Sequence, residues 1–208
     1  MVYKNFVLRS LVGFFLLLIY FTTLAINYNL IFFLIIFLYI ILFIEINLYF
    51  KKNKLLILLY LLFSLIFFIN IGFDKENIYN FNYMLFIIIT FDIFSYVVGS
   101  RYGSKKILKK ISPNKTLEGL IGGIIFSLLF SISLIILLEG QIKLNNILFI
   151  IVIISFSFIG DIIESYFKRI NSLKNSSNFL PGHGGFFDRF DSLIFSMIPY
   201  SVFSNILL

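Results

Sequence analysis

The chain has 208 residues, of which 60% are hydrophobic and 13% charged, with 29 Phe and a mean hydropathy of +1.02. Soluble domains carry about 45–50% apolar and about 25% charged residues, so a soluble core is excluded. The net charge of +7 sits in loops between apolar runs and does not form a nucleic-acid-binding face. With no Cys and one His, disulfides, thiolate sites and multi-histidine metal sites are excluded as well.

The fold expected is an all-α integral membrane protein, a polytopic bundle with about seven transmembrane helices in a single domain, 1–208. Helices are predicted near 9–26, 30–48, 55–71, 83–99, 119–138, 146–162 and 190–206. Each is close to the length that a hydrocarbon core of about 30 Å requires. The first three (about 9–71) form a scaffold, and the rest (about 83–206) carry the polar motifs. The N-terminus, MVYKNFVLRS, resembles a signal peptide with its Lys4 and Arg9. No small-residue cleavage site follows, so an uncleaved first helix is expected. Asn27-Tyr28-Asn29 is the only break before the second run, which predicts a tight turn.

In the fourth run, Asp92 is an ionisable residue inside an apolar helix, a costly placement that marks function or a packed ion pair. Tyr96 lies one turn on and shares its face. Residues 99–115 read as a basic, glycine-containing loop with Lys105 among its six cations. Its composition suits phosphate binding and a rim on anionic lipid equally. In Ser112-Pro113-Asn114-Lys115-Thr116-Leu117-Glu118, Pro113 predicts a turn and Thr116 a helix cap. Lys115 and Glu118 stand at the mouth of the fifth helix, where Gly119, Gly122 and Gly123 permit close backbone approach. Glu118 at that position also suits a simple cap.

The sixth helix is expected to run past Gly160, with Asp161, Glu164 and Lys168 in one stripe emerging into water. Pro181-Gly182-His183-Gly184-Gly185 reads as a turn with amides open to an anion. Asp188 and Asp191, three apart with Arg189 between, open the last helix on one face. Carboxylates on two converging helices beside Lys and Arg suit a hard cation with phosphates; dipole capping is the plainer account of the last pair. Fifteen of the 17 basic residues fall on one side of this topology, leaving Lys75 and Lys143 opposite. The N-terminus and both polar loops are therefore placed in the cytoplasm, and the C-terminus outside.

The polar segments resemble the phosphatidate cytidylyltransferase (CDP-diacylglycerol synthase) family. Its C-terminal signature has the form S-x-x-K-R-x₄-K-D, a spacer, then P-x-H-G-G-x-x-D-R-x-D. This chain has Ser165-Tyr166-Phe167-Lys168-Arg169, Lys174, then Pro181-Gly182-His183-Gly184-Gly185-Phe186-Phe187-Asp188-Arg189-Phe190-Asp191. Upstream, Asp92, Tyr96, Gly99, Gly103, Lys105, Ser112-Pro113, Lys115-Thr116 and Glu118-Gly119 fit too, as do Gly160-Asp161 and Glu164-Ser165. The likeness covers roughly residues 90–192 by motif and the first half only by hydropathy.

The resemblance implies the reaction CTP + phosphatidate → CDP-diacylglycerol + pyrophosphate, a Mg²⁺ cofactor and a multi-pass protein of the bacterial cytoplasmic membrane. The catalytic set it implies is Lys168, Arg169, His183, Asp188, Arg189 and Asp191, with Asp161 and Asp188 on the metal. Asp92, Tyr96, Lys105, Ser112, Lys115, Glu118 and Lys174 are the implied nucleotide- and cofactor-binding positions. Expected partners are CTP, phosphatidate, membrane lipid and a second copy in a homodimer, without nucleic acid. Two departures stand out. Asn175 replaces the family's Asp, keeping an acceptor oxygen without the charge, and an active enzyme is still expected. The chain is also shorter than most members, which reads as one or two trimmed N-terminal spans. The competing readings are a polyprenol kinase-like lipid phosphotransferase, a transporter and an inactive scaffold. A CDP-alcohol phosphotransferase would need a D-G-x-x-A-R core, which is absent.

Overall fold

The computed structural model describes residues 2–71, 75–182 and 184–204. Among the described residues, seven helices stand where the seven apolar runs were expected: α1 (Val2–Ile26), α2 (Leu30–Tyr49), α3 (Lys54–Ile69), α4 (Lys75–Tyr102), α5 (Leu117–Glu139), α6 (Leu144–Ile170) and α7 (Phe187–Ser204). Four of them are long and apolar enough to cross a membrane: α2, α4 from Asn77, α5 and α6. Leu11–Ile26 and Lys54–Ile69 are apolar but shorter. Leu55, Phe14 and Phe33, all more than half exposed, show the outward apolar surface of a protein whose solvent is lipid.

Helix ends follow local chemistry. The α1–α2 turn is tight, with the Leu30 amide on the Asn27 carbonyl at 2.9 Å. Thr116 caps α5, its hydroxyl accepting from the Gly119 amide at 3.2 Å, and Gly140 ends that helix in the left-handed region at φ 72°. The α4 helix begins about two turns before its apolar run, because Ile78 and Phe81 are buried and the Phe81 ring meets Tyr200 of α7 at 5.8 Å. As expected, α6 continues past Gly160 to Ile170.

One element escaped the sequence reading. Residues 103–116 hold an antiparallel hairpin, β1 (Lys106–Leu108) with β2 (Ser112–Thr116). Pro113 lies inside β2 and does not make the turn; both strands of this two-stranded sheet are edges, where proline is tolerated.

Two helix pairs organise the half with the motifs. The α4 and α5 helices touch along glycines: a Cβ on Gly119 would lie 2.7 Å from the Ser95 carbonyl, and one on Gly122 2.7 Å from Val98. The α7 helix is the most enclosed element, with Ile194, Met197 and Tyr200 at 0–1% exposure and Ser192, Ser196 and Ser201 also buried. It packs on α6, α3 and α4. A Cβ on Gly160 would come within 2.6 Å of the Asp191 carbonyl, so this glycine permits the close α6–α7 approach on which the site depends.

Candidate metal and phosphate site

Helical spacing lines up Asp161, Glu164 and Lys168 on α6, and α7 brings Asp191 against them. One carboxylate oxygen each from Asp161, Glu164 and Asp191 lies within 4.8 Å of the others. Asp191 and Glu164 are buried, and Glu164 Oε1 is sealed from solvent without a hydrogen-bond partner. Two ammonium groups flank the cluster. Lys115 Nζ is 2.5 Å from Asp161 Oδ2 and 4.6 Å above the Phe158 ring. Lys168 Nζ bridges Glu164 Oε2 at 2.8 Å and Asp188 Oδ1 at 2.7 Å. Asp92, on α4, lies in the field of Asp161 and Lys115. Together, four carboxylates meet two lysines, with the charge of Asp92 acting on them from α4. Such an excess of negative charge is stable only with further protons or cations.

Asp188 is placed differently from Asp191. Its Oδ2 accepts from the Ser176 amide at 2.8 Å, the Ser176 hydroxyl at 2.9 Å and the Gly185 amide at 2.9 Å, while Oδ1 takes Lys168. Burial alone would raise its carboxyl; the Gly185 amide and the Lys168 ammonium outweigh that and hold it below the ordinary carboxylate range. Asp188 thus joins Ser176 to Gly185 and, through Lys168, borders the group of Asp161, Glu164 and Asp191 without being one of those three. Gly184 sits at φ 89°, and a Cβ there would approach Asp188 Oδ2 at 2.5 Å, so the turn needs this glycine twice over.

Glu45 of α2 completes the loop from the other side. It is fully buried, and its Oε2 accepts from the amides of Phe186 at 2.9 Å and Phe187 at 3.2 Å. The three amides at 185–187 are therefore taken by Glu45 and Asp188. Of the turn 181–185, the Gly185 amide is thus held by Asp188, and the start of α7 is capped by protein carboxylates. Sequence reasoning passed over Glu45, although it is the only residue of the run 30–49 that carries a charge at neutral pH, which was the available signal. We expect Glu45→Leu to lower stability by about 2–4 kcal/mol, since it strands two buried amides, and Glu45→Gln to recover most of this. Thermal unfolding in detergent checks it; a leucine variant as stable as wild type would contradict the capping role.

The remaining expected positions divide into braces and exposed groups. Glu118 accepts from the Ser104 hydroxyl at 2.6 Å and from the Ser104 and Lys105 amides at 3.0–3.2 Å, anchoring the hairpin to α5. Arg169 donates to the carbonyls of Ile111 at 3.0 Å and Leu173 at 3.2 Å, tying the hairpin and the following loop to α6. Tyr96 is 76% exposed. Lys105, Lys174, Asn175 and Arg189 are exposed, and Ser112 is half-buried in β2. His183 lies outside the described residues.

The cluster fits a hard divalent cation. Carboxylate oxygens from two helices converge, one of them buried and unpaired, and oxygen is the donor such cations take. Flanking lysines suit phosphate oxygens on the same ion.

A model of the cytidylyltransferase family matches residues 2–207. The phosphatidate cytidylyltransferase of Staphylococcus saprophyticus is 45% identical over 105 residues, 50% of this chain and 40% of that protein. That of Bacillus subtilis is 42% identical over 113 residues, 54% of this chain and 42% of that protein, and that of Staphylococcus aureus strain COL is 41% identical over 105, or 50% and 40%. The matched segment thus spans about 40% of these curated relatives' length. With the family match running over nearly the whole chain, and with the carboxylate–lysine site assembled from the segments that carry the motifs, this protein belongs to the cytidylyltransferase family.

Proposed function

We propose that the protein transfers the cytidylyl group of CTP to phosphatidate, forming CDP-diacylglycerol and pyrophosphate. The observation that carries this reading is the convergence of Asp161, Glu164 and Asp191 between the ammonium groups of Lys115 and Lys168. A phosphate oxygen of the lipid attacks the α-phosphorus of CTP, the new P–O bond forms, and the bond to the β-phosphate breaks. The attacking oxygen is already ionised near neutral pH, so the site needs no strong general base. Its task is to gather negative groups and hold them in line.

Lys115 and Lys168 each hold carboxylates at 2.5–2.8 Å, and both can turn from these onto incoming phosphate oxygens. Asp161, Glu164 and Asp191 would hold Mg²⁺, which supplies charge neutralisation for the phosphates and the departing pyrophosphate. Asp188 keeps Lys168 aimed and holds Ser176 and Gly185 together. Asp92 adds negative charge on the α4 side, and the Phe158 ring lies under the Lys115 ammonium.

The chain reads as one transmembrane unit in a bacterial cytoplasmic membrane, with α1–α3 as scaffold and α4–α7 as catalytic half. The distribution of basic residues supports placing its N-terminus, hairpin and 171–187 loop on the cytoplasmic side, where CTP is found. The lipid's acyl chains then remain in the bilayer.

The test is turnover of purified protein with CTP, Mg²⁺ and phosphatidate in mixed micelles. The expected result is one pyrophosphate released per CDP-diacylglycerol formed. A kinase acting on a lipid alcohol would instead release nucleoside diphosphate and no pyrophosphate, and that outcome would replace this reading.

A further inference from the structure

Tyr60 on α3 is a polar side chain that the proposed chemistry has not used. Its ring stacks on Phe195 at 5.9 Å and meets Phe167 edge-on at 6.1 Å. Phe195 lies one turn beyond Asp191 on α7, and Phe167 three residues beyond Glu164 on α6. The ring is therefore wedged at the seam of the two helices that carry the carboxylates. Tyr60 and Glu164 also lie at similar depth, each six residues, or about 9 Å, from the end of its helix at Lys54 or Ile170.

The Tyr60 hydroxyl is sealed from solvent and has no hydrogen-bond partner, and it feels the charge of Asp191 and Glu164. Buried hydroxyls are almost always paired, so an O–H left unpaired beside a ligand site is a group whose partner arrives with the ligand. The other side of the same residue faces outward. An open apolar groove of about 550 Å³ runs along α3, lined by Leu56, Leu59, Tyr60, Leu62, Phe63 and Ile66. Leu56, Leu59 and Phe63 are 52–55% exposed. One residue thus has an apolar body on a lipid-facing groove and a donor beside the acidic cluster, the division of labour for which tyrosine is suited.

Resting on the function proposed above, we propose that the α3 groove seats an acyl chain of the phosphomonoester lipid and that Tyr60 donates its hydroxyl hydrogen to that lipid's phosphate. The apolar lining matches a bilayer lipid and has nothing for a nucleotide. The placement also gives the lipid phosphate a donor separate from the lysines, which remain for the triphosphate.

The test uses Tyr60→Phe, which keeps the ring and its stacking and removes only the hydroxyl. Binding of radiolabelled phosphatidate in mixed micelles is measured beside turnover, with KM determined separately for lipid and CTP. We expect Y60F to unfold at the wild-type temperature, to bind phosphatidate about tenfold more weakly, and to raise KM for the lipid while leaving KM for CTP unchanged. A Y60F protein that binds phosphatidate as wild type does, or that loses CTP and lipid equally, overturns the inference and leaves the function standing. A wild type that binds phosphatidate without turning over would instead sink the function, and the lipid site would then be judged by the binding ratio of Y60F to wild type alone.

Discussion

Asp191→Asn should reduce CDP-diacylglycerol formation by at least about a hundredfold at saturating Mg²⁺ while leaving the protein folded. Asp191 is the buried member that α7 contributes to a cluster otherwise built on α6. Its carboxylate accepts from the neighbouring Ser192 amide at 2.9 Å, and it lies in the field of Asp161, Glu164 and Asp92. A carboxylate surrounded by like charges and little else is costly to the fold and useful to a cation. The substitution should therefore act in two directions. Turnover falls because a cation ligand is lost, and thermal stability measured without divalent cation rises because repulsion is relieved. An activity loss accompanied by lower stability in chelator would contradict this assignment.

Asp188→Asn should also lose activity, but through the fold. The native carboxylate takes Lys168 on one oxygen and three donors, from Ser176 and Gly185, on the other. Asparagine retains one acceptor oxygen and adds two donors where donors are already in excess. It also frees Lys168 from one of its two carboxylates in a pair whose side chains are only 13% and 9% exposed. A loss of about 3 kcal/mol is expected, seen as a lower unfolding temperature with or without Mg²⁺. The pH dependence should follow the sign of the carboxyl's shift. Because the folded protein holds Asp188 below the ordinary carboxylate range, its contribution is complete above that range and is lost as pH falls through the lower folded value. The wild type should therefore lose loop stability in acid more steeply than D188N. Equal acid sensitivity in the two proteins would argue against the placement of Asp188.

The contrast between these two aspartates shows where sequence reading stops. The stripe Asp161–Glu164–Lys168 was legible because helical periodicity places residues three and four apart on one face, and α6 does present them together. Asp188 and Asp191 share a face by the same rule. Both meet the stripe, Asp188 at Lys168 and Asp191 at the carboxylates; which takes which place depends on how closely α7 crosses α6 at Gly160, a tertiary distance that spacing does not encode. Glu45 stands out in its apolar run, but its role was not legible for a related reason, since its partners lie about 140 residues away, at 186 and 187. The apolar runs located the helices because a bilayer demands long hydrophobic segments. They misjudged the start of α4, where buried Ile78 and Phe81 are diluted by Asn and Lys. The hairpin at 106–116 was read as loop because it is short and rich in lysine, with no alternation to mark its strands.

The central claim, that Asp161, Glu164 and Asp191 form a cation site with Asp188 outside it, is tested most directly by metal binding without substrate. Mn²⁺ can stand in for Mg²⁺ and be followed by electron paramagnetic resonance in detergent-solubilised protein. The account predicts saturable Mn²⁺ binding by wild type, at least about tenfold weaker binding by D191N, and binding by D188N close to wild type wherever that variant remains folded. Mn²⁺ affinity unchanged in D191N, or lost in folded D188N while D191N keeps it, would contradict the account and return the metal to Asp188.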